Sequence, residues 1–537
     1  VGRTRYVLIH APFAVLEKQA HLLNVKLPAK KCDVDTGGRS LVPGCVDRCL
    51  DRARFLDYDD DTKTYLEEPD YYTAPYTSDR RHNFVNWDRP DLLFPTAERS
   101  RMVYDLLIRA RYHAPDKLFE EDDKYSGNII TQFTSLFSVG IDRLLQNGTY
   151  TGAYPLHQEL RPREKMEEKT LNQRELLYVC WASWRVWYKY QPLDLVKRYF
   201  GSKVGFYFAW LGYYTKTLYP AALLGLLCVI FGIIQFSKDP VSSDICSTAT
   251  GGRIITCPMC NDYCDFQYLN SSCVYARVSY LFDNTMTVVF AALMSVWATL
   301  FLEGWKRYHS EVAWKWGLQD YAVEEDTVRP EFQYRVKTTK YNPITKKHEP
   351  YLSSRKRMMN FLASGVTVLF FVFLVLGVVF GVMVYRVICL KLLARSGNDQ
   401  LGKFAFLIVT STGAMLNLIV ILIMNTVYYY LALVLTRWEC PRTQTDFDNS
   451  FTFKVFLFQF VNYYSSLFYI AFVKGLISQL PAYKSKKDGS MGGAFEIGGA
   501  RLESCDPAGC FAELVIQLAI IMCGRQFFSA FVEVGYP

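Results

Sequence analysis

Five long stretches without a charged residue constrain this chain more than any other feature. Thr217–Phe236 (217–236) and Asn284–Leu302 (284–302) each approach the roughly 20 apolar residues that cross a bilayer as a helix. Met358–Tyr385 (358–385) is charge-free for 28 residues, Phe404–Thr436 (404–436) for 33, and Val455–Val473 (455–473) for 19. In hydrocarbon every backbone polar group must be satisfied internally, so runs of this kind become helices. A sixth run, Phe511–Tyr536 (511–536), is apolar from Leu514 to Gly524 but includes Glu513, Arg525 and Glu533. The expectation is an all-α transmembrane bundle of six spans.

The rest of the composition agrees. Aromatic residues make up 16% and charged residues 21%, while mean hydropathy is near zero at +0.03. Apolar residues are therefore concentrated in blocks. The net charge of +8 is spread along the chain and interleaved with acids, which reads as membrane-side loops rather than a nucleic-acid surface. At Val1 no secretory signal is visible, so the chain reads as beginning inside a longer protein and inserting through an internal span.

Residues 1–200 read as a cytosolic α+β domain, and 201–537 as the membrane domain. Tyr6–Ile9 is a β-prone run. Pro12–Leu23 has helical apolar spacing, as does Thr96–Tyr112 with Met102, Leu106 and Leu107 on one side. Leu56–Arg81 is acidic, Tyr-rich and reads as a mobile insertion. Leu176–Tyr214 is rich in Trp, Tyr and Lys, as helices at a membrane interface are.

Loop charge sets the expected orientation. Glu303–Arg357 carries twelve Lys/Arg, and Ser237–Asp283 (237–283 with its flanks) carries Lys238, Arg253 and Arg277. The positive-inside bias puts the N-terminal domain and the 303–357 loop in the cytosol, in a plasma membrane or endomembrane. The 237–283 loop then faces outside or the lumen. It holds Cys246, Cys257, Cys260, Cys264 and Cys273, with Cys505 and Cys510 on the same side before the sixth run. Disulfides in an oxidising compartment explain these better than zinc, since no His or second CxxC follows at zinc spacing. Asn270-Ser271-Ser272 is a glycosylation sequon in the same loop.

Several motifs then resemble one family. They are Tyr207-Phe-Ala-Trp-Leu-Gly212, Leu281-Phe-Asp-Asn284, the run Trp297–Arg307, Pro441-Arg-Thr-Gln-Thr445, Phe456–Tyr464 and Cys505-Asp-Pro-Ala-Gly-Cys510. By these the chain is similar to the anoctamins, calcium-activated scramblases and ion channels. The resemblance implies about ten spans, a homodimer, and calcium bound between the sixth, seventh and eighth helices. It also implies that the C-terminal half of such a protein lies beyond Pro537.

Ionisable groups inside a span are functional candidates. Ser529 and Glu533 are four residues apart, so both oxygens can address one ion. Glu533 resembles the family's calcium-binding Glu, while Ser529 stands where Asn is usual; pairing of Glu533 with Arg525 is the structural alternative. Gly524 resembles a hinge glycine, or allows close helix packing. In the fifth run Gln459, Asn462 and Ser466 form a polar stripe beside Tyr463. It suits either a wet groove or hydrogen bonds to a neighbouring helix. The resemblance implies that the stripe faces the permeation groove. Chloride-channel members carry Lys where Gln459 stands, which implies scrambling of phospholipids with passage of small ions.

Thr412 and Asn425 in the fourth run are further groove candidates, as are Lys474 and Arg525. Arg386 and Lys391 either steer anionic headgroups or snorkel to the interface. Asp57, Asp59, Asp61 and Glu68 imitate an EF-hand, but Thr62 replaces its Gly and Pro69 blocks its exit helix. A solvated acidic loop is the simpler reading. No phosphate-binding Gly loop, metalloprotease motif or nucleophile elbow is present, so the chain does not read as an enzyme.

Overall fold

A computed structural model describes residues 5–30, 72–110, 140–146, 148–161, 171–236, 238–256, 267–318, 328–343, 346–395, 399–474, 483–484, 491–492, 496–497, 500–501, 505 and 509–535. Two compact units divide the chain: Val1–Pro220 with Trp297–Arg335, and Ala221–Val296 with Val336–Pro537.

In the first unit the helix Phe13–Leu22 turns Leu16 and Ala20 inward at four-residue spacing. Asn24 takes a left-handed conformation at φ 47°, which Asn tolerates better than most residues. The chain then reverses into strand Lys26–Pro28, paired antiparallel with Thr73–Pro75 so that Leu27 faces Ala74. Leu16, Ala20, Val25, Leu27, Tyr76, Phe84, Leu93, Phe94 and Met102 form the core. The helix Thr96–Arg109 supplies Met102, while Leu106 and Leu107 are half-buried. Tyr6–Ile9, expected as β-prone, joins no ladder and stays exposed; β-propensity without a partner strand leaves a backbone solvated.

The interfacial stretch expected to end at Tyr214 is, from Ser202, continuous with the first span in one helix, Ser202–Gln235. The second span likewise continues, as Thr285–Lys315, into what the sequence reads as a basic loop. There Glu303 and Lys306 pair at 2.8 Å, three residues apart on one helix face. Asp194 fixes the end of that helix, accepting from Lys315 Nζ and Trp316 Nε1 at 2.8 Å each. Gly317 follows at φ +64°, where a Cβ would collide with Thr73, whose hydroxyl donates to the Gly317 carbonyl at 3.0 Å.

In the second unit, the third to sixth spans are Ser354–Arg395, Asp399–Glu439, Gln444–Phe468 and Phe511–Ala530. The fifth and sixth end in wide π turns, Tyr469–Lys474 and Phe531–Gly535. With the first two, six described helices are long and apolar enough to cross a membrane, as the charge-free runs predict. The fourth span is the hub. Its buried residues, including Thr410, Ala414, Asn417, Ile421, Tyr428, Ala432 and Leu435, recur at intervals of mainly three and four residues and so share one face. Tyr428 stacks on Phe458 of the fifth span at 3.8 Å, against Val368 and Val375 of the third. Phe370, Phe373, Ile419, Ile423, Phe456 and Phe460 point outward and stay exposed, as residues facing lipid do.

The fourth-to-fifth turn is tight. Cys440 adopts φ 54°, and Thr443 caps the next helix by accepting from the Asp446 amide at 3.1 Å. Behind the turn Lys454 donates to Glu439 at 2.8 Å and to the Ser450 hydroxyl at 2.5 Å.

Among the described residues two disulfides are formed. Cys246–Cys273 joins the helices Pro240–Cys246 and Cys273–Phe282, and Cys505–Cys510 closes the turn before the sixth span. Cys257, Cys260 and Cys264 lie outside the described residues, as does the acidic run Asp57–Glu68. Asn270 is exposed.

Candidate functional site

Antiparallel neighbours share ends. The C-terminal ends of the third and fifth spans meet the N-terminal ends of the fourth and sixth, at the end of the bundle next to the Cys505–Cys510 turn. Three ionisable groups converge there. Glu513, in the first turn of the sixth span, accepts from Lys474 Nζ at 2.6 Å and from Arg386 Nη2. Arg386 also donates to the Thr410 hydroxyl at 3.3 Å. The side chains of Glu513 and Lys474 are 1% and 0% exposed, and that of Arg386 is 6%. Gly413 makes room: a Cβ there would come within 3.0 Å of the Arg386 stem. Glu513 at a helix start and Lys474 in a last turn each sit where the helix dipole favours their charge. Among the described residues, two cations meet on one carboxylate.

Arg386 is therefore buried and held by a counter-charge, as a cation in apolar surroundings requires. Only the backbone of Lys391 is described. Sequence reasoning did not single out Glu513 as the hub. The available signal was a lone acid opening an otherwise apolar span, on the same side as Arg386 and Lys474.

A second polar layer lies deeper. Asn417 donates to the Ser466 hydroxyl at 3.0 Å. Asn462 donates to the Ile421 carbonyl at 3.2 Å and to Asn425 Oδ1 at 3.1 Å, and Asn425 in turn donates to the Tyr463 hydroxyl at 2.5 Å. Asn462 and Ser466 are thus buried against the fourth span, while Gln459 is half-exposed on the same stripe. The Arg525 guanidinium lies 4.6 Å over the Tyr463 ring, a cation–π contact. Thr412 faces outward, its hydroxyl satisfied by the Ile408 and Val409 carbonyls one turn back. Gly524 is where the fourth and sixth spans approach closely, since a Cβ there would collide with Leu418. The sixth helix runs unbroken through it.

At the far end of the sixth span, Ser529 Oγ donates to Glu533 Oε1 at 3.3 Å, and both residues are exposed. The 3.3 Å hydrogen bond shows that the two oxygens project from one face, in reach of one ion, and calcium takes about 6–8 oxygens. They fit as part of such a donor set. Among the described residues no group of three or more His, Cys, Asp or Glu could hold a metal.

Residues 196–537 match the family model described as "Anoctamin: Calcium-activated chloride channel", and residues 1–193 match "Anoctamin, dimerisation domain". Anoctamin-4 of Bos taurus is 40% identical over 542 residues, covering 99% of this chain and 55% of that protein. Anoctamin-3 of Homo sapiens is 38% identical over 550 residues, covering 99% and 52%. Anoctamin-7 of Mus musculus is 36% identical over 542 residues, covering 99% and 58%. The chain spans about half the length of the curated relatives it matches.

Proposed function

The chain belongs to the anoctamin family of multi-pass membrane proteins, and on that premise we propose that the full-length protein is a calcium-activated phospholipid scramblase with accompanying non-selective ion conduction. The observation that carries this reading is the fifth-span stripe. Its outer edge is the neutral, half-exposed Gln459, where the resemblance implies Lys in chloride-selective members, and its inner members hydrogen-bond the fourth span. A groove edge that is polar without fixed positive charge lets headgroups pass while acyl tails stay in lipid. No covalent chemistry is required.

Calcium, when bound, supplies a dense positive charge at the exposed end of the sixth span. Glu533 and Ser529 would hold it, the carboxylate as a charged ligand and the hydroxyl as a neutral one. The N-terminal domain and the basic 303–357 segment face the cytosol in this reading, and the protein works as a homodimer, which the match to a dimerisation domain supports.

A chloride-selective channel is the second reading. The match of residues 196–537 to a family model described as a calcium-activated chloride channel favours it. Full-length protein in liposomes carrying a fluorescent phospholipid separates the two. Calcium-dependent loss of inner-leaflet protection is the expected result; chloride flux with no lipid movement would replace the scramblase reading with the channel. Glu533→Gln is expected to shift the calcium response to higher concentration, and an unchanged response would remove Glu533 from the site.

A further inference from the structure

We propose that Trp184–Tyr190 is a membrane anchor that seats its aromatic rings in the headgroup layer of the bilayer, beside the entry of the first span. The segment is one short turn, Trp184–Val186, followed by Trp187, Tyr188, Lys189 and Tyr190. Trp184 is 89% exposed and Trp187 77%, and Tyr188 and Tyr190 are exposed too. The platform beneath is firm: Leu177, Cys180, Leu195 and Val196 are buried together, and Trp181 packs edge-on against Phe208 at 4.7 Å. The rings are therefore held outward on a packed base.

Position and chemistry both identify the occupant. Gln191 packs against Gly212, where a Cβ would lie 3.2 Å from its Oε1, and Lys216 Nζ is 5.9 Å from the Tyr190 ring. Both contacts are to the helix Ser202–Gln235, and Lys216 is the last charged residue before the apolar run Thr217–Phe236. Gly212 to Thr217 is five residues, a rise of about 7.5 Å, which matches the roughly 5–8 Å of interfacial layer on each side of the hydrocarbon. Tyr207, Tyr214 and Tyr219 of the same helix are exposed as well.

Trp and Tyr rings, apolar in body and polar at one edge, favour that layer. Arg185, exposed beside the two Trp rings, suits a lipid phosphate, and no acid occurs between Trp181 and Gln191. A protein partner would need complementary acids and a defined shape. A lipid surface needs only aromatics, cations and depth, which this segment has.

The test uses the full chain in phosphatidylcholine vesicles with bromine placed either high or low on the acyl chains. The difference in tryptophan emission between the unmodified protein and Trp184→Phe/Trp187→Phe isolates two of the 10 tryptophans. That difference is expected to be blue-shifted and largely lost with bromine high on the chain, and less affected by bromine placed low. A water-like difference quenched by aqueous iodide overturns the anchor. So does a blue-shifted difference that bromine leaves untouched, which would mean that protein, such as a second copy, covers the rings. A photoactivatable phosphatidylcholine, mapped by peptide mass spectrometry on unmodified protein, answers without a substitution. Label in Trp181–Gln191 supports the anchor, and label confined to the six spans overturns it.

Discussion

Replacing Glu513 with Gln removes a carboxylate that two buried cations share. At an effective dielectric of about 20, unit charges about 4 Å apart attract by about 4 kcal/mol, so the two contacts represent roughly 8 kcal/mol before opposing terms. Repulsion between Arg386 and Lys474 and the desolvation of all three groups offset part of this. Removing one partner of a buried ion pair then costs about 3–5 kcal/mol. With Lys474 and Glu513 at 0% and 1% exposure, the upper half of that range is expected for Glu513→Gln. Lys474→Met should cost less, because Arg386 still meets the carboxylate. The double variant should lose less than the sum of the two, by about 0.5–3 kcal/mol of coupling. Equilibrium unfolding of the full-length protein in mixed micelles measures all three. A loss under about 1 kcal/mol for Glu513→Gln, additive with Lys474→Met, would refute the reasoning, because it would mean water already screens the cluster.

Other consequences concern single positions. Gly524→Ala should destabilise the bundle by about 1–3 kcal/mol through collision with Leu418, and Leu418→Ala should relieve it. If calcium activation stays impaired in that double variant, Gly524 acts as a hinge; if it recovers, the glycine serves packing. Outside the membrane, the Arg161 guanidinium beside Glu175, with the Asn172 and Arg161 amides, holds the Glu175 carboxyl at about 2 against its ordinary 4.5. A depressed carboxylate stabilises above its unfolded value and loses that contribution as pH falls. The protection of Asn172–Leu177 against hydrogen exchange, taken relative to the intrinsic rate at each pH, should therefore fall between pH 4.5 and about 2, and Glu175→Gln should abolish the step. Cys246→Ser should cost about 2–4 kcal/mol by freeing the loop that Cys246–Cys273 closes. A mobility shift on glycosidase treatment, absent in Asn270→Gln, would establish that this loop faces the lumen or the outside.

How much was legible follows from what kind of signal each feature leaves. Span length and the absence of charge are local, and a bilayer reads them one helix at a time, so all six spans could be placed from the sequence. Their ends could not. Charge marks where hydrocarbon stops, whereas a helix continues into water for as long as its backbone pairs, as Thr285–Lys315 does past Glu303. The Cys505–Cys510 turn was implied by the family resemblance alone, and Cys246–Cys273 was one of several possible pairings until the two short helices brought those thiols together.

The stripe Gln459, Asn462 and Ser466 shows the same division within one helix. Its periodicity says that three polar groups share a face, and sequence alone determined that. Which neighbour the face meets is a long-range fact: Asn462 turns to Ile421 and Asn425, and Ser466 to Asn417, only because the fourth span packs there. Arg386, Lys474 and Glu513 are 39 to 127 residues apart, and no local pattern links them. Each reads alone as a charge near a span end. Packing antiparallel helices brings the three ends to one level, and a buried charge that cannot reach water takes the partner that the fold supplies.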